Sequence, residues 1–347
     1  MEVVRGHLDV PAHLRGAVVA LGNFDGVHRG HREVIGLTRS LAKEAGAPSG
    51  VISFHPHPRR FFSPDQPFFR LTPQPLKLRL IEALGVDVVF VVGFDAALAR
   101  MTPEEFIAEV IVGKLGASHV VAGWDFRFGV KRAGDATLLG ELGQAHGIGV
   151  TIVRPQADSG GEPFSSTRVR QLLAEGRPRE AAEILGYRWR LVETVIGGDR
   201  RGGELGFPTI NMRLDPGIDL AHGIYAVRVT ALGETHGGAA YHGTRPTFGG
   251  AEPALEAYLF DFAGDLYGRE VEIEFVDYLR ADRTFETVEE LRRQIALDCE
   301  AARAVLAALE PDDPLRPRLP PPETTHAAAT SRSAPWRWKR GARGETP

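Results

Sequence analysis

The stretch LGNFDGVHRGH, Leu21 to His31, sets two histidines three residues apart among three glycines and one aspartate. An apolar run, AVVAL (17–21), precedes it. After it comes HREVIGLTRSLAKEAG (31–46), in which Val34, Leu37, Leu41 and Ala45 share one helical face and Gly46 closes the segment. That order predicts a buried strand, a glycine-rich turn and a helix. Unpaired N–H groups and the dipole at a helix start favour anions. Gly26 and Gly30 keep the backbone bare enough for a phosphate to approach. The stretch therefore predicts a phosphate site at the edge of an α/β sheet.

Outward from this turn, apolar runs alternate with helical segments up to about residue 186: VVAL, GVISF (50–54), VDVVFVVGF (86–94), HVVAG (119–123) and VTIVRP (150–155). Such alternation predicts a parallel sheet wrapped by helices. Thr102-Pro103-Glu104-Glu105 combines an N-cap, a proline at the first helical position and a capping glutamate. Short helices are expected over Thr167–Glu175 and Pro178–Leu185. After Gly186 the pattern changes to extended segments, among them RLVETVIGG, GIYAVRVTAL, ALEAYLFDF and REVEIEFVDYL, which predict an antiparallel barrel or sandwich. One helix ends this half, capped by Thr287 and Glu290, with Leu291, Ile295, Ala302 and Leu306 on one face. The expected division is residues 1–186, 187–310 and a Pro/Arg-rich tail, 311–347, with seven Lys/Arg against four Asp/Glu and no periodicity. Such a tail is expected to be disordered.

At 347 residues the chain is long enough for two domains with separate cores. A net charge of −4 argues against nucleic acid or an anionic membrane as the main partner. The single cysteine, Cys299, excludes an intramolecular disulfide and a thiolate-rich metal site, and its place on a helix stripe predicts core packing. No signal-peptide pattern opens the chain and no apolar run nears the ~20 residues of a membrane span, so a cytoplasmic protein is expected.

Imidazole N–H groups at His28 and His31 can donate to phosphate oxygens and stabilise charge as pyrophosphate departs. The alternatives are a zinc pair, which lacks a metalloprotease glutamate and a third ligand, and packing alone. Ser165, Ser166 and Thr167 offer hydroxyls at a helix start, to cap it or bind phosphate, and Arg170 offers a forked donor. In His55-Pro56-His57-Pro58 the prolines stiffen a loop directly after a strand, the end at which parallel sheets bind ligands. Asp125, Phe126 and Phe128 in GWDFRFG can line a nucleotide or flavin pocket, or the two rings can be core.

A second glycine-rich loop, GGDRRGGELGFPTINM (197–212), lacks the GKS/T ending of a P-loop. Thr209 and Asn211, two apart on an extended segment, face the same side and suit magnesium as neutral oxygen ligands beside ATP phosphates. Glu256 lies on an alternating strand opposite in facing to Leu255, Ala257 and Leu259. It can accept a proton from an attacking alcohol, or it is a solvated outer-face glutamate.

The first block resembles the HxGH nucleotidylyltransferases. With SFHPHPRRFF (53–62), AGWDFRFG (122–129) and FSSTRVRQLL (164–173) in order, the chain resembles the bacterial bifunctional riboflavin kinase/FAD synthetase family. GFPTIN, GIYAV, GTRPTF, LEAYLFDFAGDLYG and LRADRTF are similar to successive blocks of its kinase module. The resemblance covers about residues 15 to 308. It implies a Rossmann-like parallel-sheet domain followed by a small six-stranded antiparallel barrel with a terminal helix. It also implies two ATP-dependent reactions, riboflavin to FMN and FMN to FAD. On this likeness Gly22, Phe24, Asp25, Gly26, Gly30, Ser165, Ser166, Thr167 and Arg170 belong to the first ATP site. Gly203, Gly206 and Pro208 shape the second, where Thr209 and Asn211 hold Mg2+ and Glu256 is the base for the ribityl 5′-hydroxyl. His57, Asp125, Phe126, Phe128, Arg280, Phe285 and Arg303 are the expected flavin contacts.

One departure stands out: where the family usually reads GVANIGTRPTF, this chain reads GAAYHGTRPTF, with Tyr241 and His242 at the asparagine and aliphatic positions. An adenylyltransferase whose barrel only binds flavin is therefore the rival reading. A nucleic-acid or membrane binder acting through Trp336 and Trp338 of the tail would need neither glycine-rich motif. Expected partners are riboflavin, FMN and ATP; homo-oligomerisation is left open.

Overall fold

The computed structural model describes residues 1–6, 10–158, 160–197, 206–247 and 250–309, with backbone only at 245–247 and 250–253. Gly203, Trp336, Trp338 and the 311–347 tail lie outside the described residues.

The first half is one parallel sheet of β1 (Glu2–Arg5), β2 (Val18–Leu21), β3 (Ser49–His55), β4 (Val88–Gly93), β5 (His119–Gly123) and β6 (Gly149–Val153). Their order across the sheet is β1-β4-β3-β2-β5-β6. Period-two alternation feeds a core on each face. Val18 and Ala20 join one cluster with α1 (Arg29–Ala45), α3 (Gln74–Glu82), α6 (Ser166–Ala174) and α7 (Pro178–Leu185). Val19 and Leu21 join the other, with the π-helix Phe106–Lys114 and α5 (Ala136–Ala145). Thr102 and Glu105 form the expected capping box of α4 (Pro103–Glu105), the turn that leads into that helix. Strand order runs from β2 outward through β3, then returns to β5 on the other side of β2. The crevice at their carboxyl ends is where such sheets bind ligands, and the 22–28 turn opens into it.

The second half is a closed antiparallel barrel. Its strands are β7 (Arg190–Ile196), β8 (Thr209–Arg213), β9 (Gly223–Ala231), β10 (Glu234–Thr247), β11 (Gly250–Leu259) and β12 (Glu270–Arg280), closed in the order β10-β11-β8-β7-β12-β9. The terminal helix α8 (Val288–Ala307) packs Ile295, Cys299, Ala302 and Leu306 against Ala226, Phe260 and Val276. Cys299 is buried, as its helix position predicts.

The expectation of separate cores is corrected. A single apolar cluster runs from α1 and α3 through Tyr187 and Trp189 into Tyr225, Ile273 and Phe275 of the barrel. The Tyr187 hydroxyl donates to the Gly26 carbonyl at 2.8 Å, and the Trp189 indole N–H donates to the Leu71 carbonyl at 3.0 Å. Arg79 and Arg190 both reach Glu272, at 2.6 and 2.7 Å. Burying two such aromatics removes on the order of 200 Å² each from water, about 5 kcal/mol apiece before entropy is counted.

Candidate active sites

The 22–31 turn is held open by geometry that glycine permits. Gly26 has φ +88°, and a Cβ there would lie 2.9 Å from Leu71. His28 caps α1, its Nδ1 accepting the His31 backbone N–H at 3.3 Å. In the neutral ring this leaves Nε2 carrying the proton, aimed away from the cap as a donor. The two imidazoles stack with centroids 3.6 Å apart, and His31 meets the edge of Phe24. Burial lowers His28 to about 4, against the pull of Asp25. Burial, then the neighbouring His28 and Lys77, hold His31 well below the ordinary imidazole range. Both rings are therefore neutral near pH 7, and the buried Nδ1 of His31 has no hydrogen-bond partner.

Asp25 and Arg170 have a different place from the one expected. Asp25 accepts the backbone N–H groups of Leu71 (3.2 Å) and Thr72 (3.1 Å) and the Thr72 hydroxyl (3.2 Å), and pairs with Arg170. Arg170 Nε also donates to the Phe69 carbonyl at 2.5 Å. The ion pair and these donors clamp residues 69–72 beneath the turn. Ser165 caps α6 through the Arg168 N–H, and the Ser166 hydroxyl donates to the Asp25 carbonyl at 2.7 Å, docking that helix start on the same turn. Thr167 remains exposed there. Gly22 and Gly30 pack closely against the rings of Phe24 and His28.

His57 caps α2 (Pro58–Phe62) and lies 4.7 Å from Phe68, whose ring is also covered by Arg170 and Arg59. Burial lowers His57 to about 4. Asp125 is exposed beyond the end of β5. Phe128 is corrected from flavin contact to core: it packs on Phe106 at 5.9 Å and stacks on half-buried Phe126 at 5.7 Å. Lys77 was missed. It is 3% exposed, and Nζ donates to the Asn23 carbonyl at 2.8 Å and lies 3.5 Å from the Ser53 hydroxyl. The signal was present, because Leu76, Lys77, Leu80 and Ile81 form the buried face of α3.

In the barrel, register does what spacing alone could not. Asn211 on β8 pairs directly with Glu256 on β11, and Thr209 pairs with Tyr258, so Thr209, Asn211 and Glu256 share one face. Leu255, Ala257 and Leu259 point into the core behind them. Gly206, with φ +88°, and Pro208 lead the chain into β8. On the other side of Glu256 its partner is Tyr241, whose hydroxyl donates to Asp282 at 2.9 Å. The bulk of that ring is accommodated by Gly243, where a Cβ would lie 2.1 Å from the Tyr241 hydroxyl. His242 points inward, with Nδ1 3.2 Å from the Ala221 carbonyl. Arg280 and Arg303, expected as flavin contacts, each hold a carboxylate of the barrel half. Arg280 grips Asp298 of α8 with two bonds, at 2.8 and 2.6 Å, and Arg303 grips Asp261 at 3.0 and 3.3 Å. Each fork is occupied by a carboxylate. Phe285 is half-buried between Arg280 and Arg283.

Residues 10–168 match the FAD synthetase family and residues 185–306 the riboflavin kinase family. The bifunctional riboflavin kinase/FMN adenylyltransferase of Escherichia coli (strain K12) is 38% identical over 90% of this chain and 100% of its own. The chain belongs to the bifunctional riboflavin kinase/FMN adenylyltransferase family. The member from Pseudomonas fluorescens is 37% identical over 88% of this chain and 98% of its own. A crystal structure described as a macrolide-efflux protein from Streptococcus pneumoniae superposes with TM-score 0.78 at 30% identity, covering 87% of this chain and 99% of that one. Among the described residues no helix is long and apolar enough to cross a membrane.

Proposed function

We propose that the chain makes FAD in two ATP-dependent steps at two sites: phosphorylation of riboflavin to FMN on the outer face of the barrel, and adenylylation of FMN at the 22–31 turn. Family membership supports both activities. The observation that carries the division is the β8–β11 register, which sets Asn211 opposite Glu256 some 180 residues beyond the histidine turn in sequence. In the kinase step Glu256 takes the proton of the ribityl 5′-hydroxyl as its oxygen bonds to the γ-phosphorus of ATP and the bond to the β,γ-bridging oxygen breaks, releasing ADP. The Thr209 hydroxyl and the Asn211 amide oxygen are hard, neutral donors on that face and suit Mg2+, which would neutralise phosphate charge when bound.

In the adenylyl step an FMN phosphate oxygen bonds to the α-phosphorus of ATP, and the bond to the bridging oxygen breaks, releasing pyrophosphate. His28 and His31, neutral and buried, act as oriented donors to the phosphate oxygens; neither needs to transfer a proton. A cytoplasmic location is part of this reading. The test is chromatographic separation of products from purified protein, riboflavin, ATP and magnesium. FMN should appear first and FAD after it. The His28→Ala/His31→Ala variant should accumulate FMN, whereas Glu256→Gln should leave riboflavin unconverted yet turn supplied FMN into FAD. Loss of both reactions together in either folded variant would mean one shared site.

A further inference from the structure

Lys77 is a buried ammonium without a counter-ion. Among the described residues it makes no carboxylate ion pair, and the nearby Asp25 is already paired with Arg170. Of its three N–H donors, two face the Asn23 carbonyl and the Ser53 hydroxyl. These two contacts, on the histidine turn and at the carboxyl end of β3, place the ammonium at the crevice, and its charge lowers both His31 and His57. Next to it the His31 Nδ1 is also buried without a partner. Asp25 eases this burial from nearby but is committed to Arg170, so the ammonium remains costly to bury and an anion supplied from outside would offset that cost. Burial lowers Lys77 only to about 8, so it is largely protonated at neutral pH.

We infer that Lys77 is a phosphate-binding residue of the adenylyl-transfer site, its ammonium set against the oxygens that gain charge as pyrophosphate leaves. The inference rests on the proposed adenylyl step. Lys77 gives up no proton; the bond to FMN forms and the bond to pyrophosphate breaks, with the electron pair going to the leaving group. The Asn23 carbonyl on the histidine turn, at 2.8 Å, aims the ammonium, whereas the Ser53 hydroxyl at the end of β3, at 3.5 Å, is only a peripheral contact.

The experiment uses the full-length parent, Lys77→Met and Ser53→Ala. FMN-to-FAD turnover, riboflavin phosphorylation, melting temperature and calorimetric binding of magnesium pyrophosphate are measured on each. Lys77→Met should slow FMN adenylylation by ~100-fold or more, mainly in kcat, and weaken pyrophosphate binding at least about tenfold. Its riboflavin phosphorylation should hold, and its melting temperature should hold or rise, since a costly buried charge is removed. Ser53→Ala, which keeps the charge and loses one tether, should retain pyrophosphate binding. Unchanged pyrophosphate binding in Lys77→Met would overturn the inference, as would equal loss in Ser53→Ala, which would make Lys77 only a clip between β2 and β3. A parent that makes no FAD from FMN would instead refute the adenylyl reading, while the pyrophosphate arm would still judge Lys77.

Discussion

Replacing His28 with asparagine should make the protein less sensitive to acid. Burial lowers this imidazole from 6.5 to about 4. Between those values the unfolded chain binds a proton at this position that the folded protein does not. Unfolding free energy therefore falls as pH drops from 6.5 toward 4, with nothing further lost below. At about 1.36 kcal/mol per unit, the ring alone costs about 2 kcal/mol on going from neutral pH to pH 5. His28→Asn preserves a side-chain acceptor for the His31 N–H, since asparagine is as good an N-cap as any residue, but it cannot titrate. The shared core predicts one cooperative transition, so urea unfolding followed by tryptophan fluorescence, with Trp189 in that core, reads the whole chain. Parent and variant curves at pH 7, 6 and 5 should draw apart, the variant gaining about 2 kcal/mol on the parent by pH 5. Parallel curves would show that His28 is solvated or already charged in the folded protein. The neutral-donor account of the turn would then be wrong.

Asn211→Ala should raise the magnesium needed for riboflavin phosphorylation, seen by titrating the metal, while FMN adenylylation is unchanged. Arg280→Ala leaves the buried Asp298 carboxylate without its fork and should cost about 3 kcal/mol in urea unfolding with the riboflavin KM unaltered. A raised KM at full stability would restore Arg280 as a flavin contact. Tyr187→Phe removes one buried hydrogen bond to Gly26, about 1 kcal/mol by denaturation, and should slow adenylylation more than phosphorylation.

What could be read in advance was whatever depends on local periodicity and turn chemistry. β2, the glycine turn and α1 were legible because burial on both faces, a positive-φ glycine and a 3.6-residue stripe each leave a mark in sequence. β1 was not: Glu2–Arg5 carries two charges in four residues and gains its strand only by pairing with β4. Thr209 and Asn211 could be assigned to one face from their spacing, but their position across from Glu256 is a matter of register between strands some 45 residues apart. Arg170, Arg280 and Arg303 were expected to meet ligands because a guanidinium fork in a motif has the right chemistry. Sequence does not show that Asp25, Asp298 and Asp261 reach them first.

The seam between the two halves carries the same lesson to the level of the whole molecule. Gly186, left-handed at φ +72°, ends α7 and marks the change of architecture. Yet the next residues, Tyr187 and Trp189, are with Tyr225 the largest fully buried side chains among the described residues, and they pack into the sheet domain and the barrel alike. Tyr187 fastens the barrel's first residues to the carbonyl of Gly26 inside the histidine turn; Trp189 does so to Leu71, next to the Thr72 that holds Asp25. The proposed adenylyl site therefore takes part of its rigidity from the barrel half. Glu256, Asn211 and Thr209, on β8 and β11, lie on strands that make no pairing with β12, the strand whose Glu272 meets Arg79 of the sheet domain. The histidine turn is thus tied directly to barrel residues, whereas the face of Thr209, Asn211 and Glu256 is built from strand pairs within the barrel and reaches the sheet domain only through the shared core behind it.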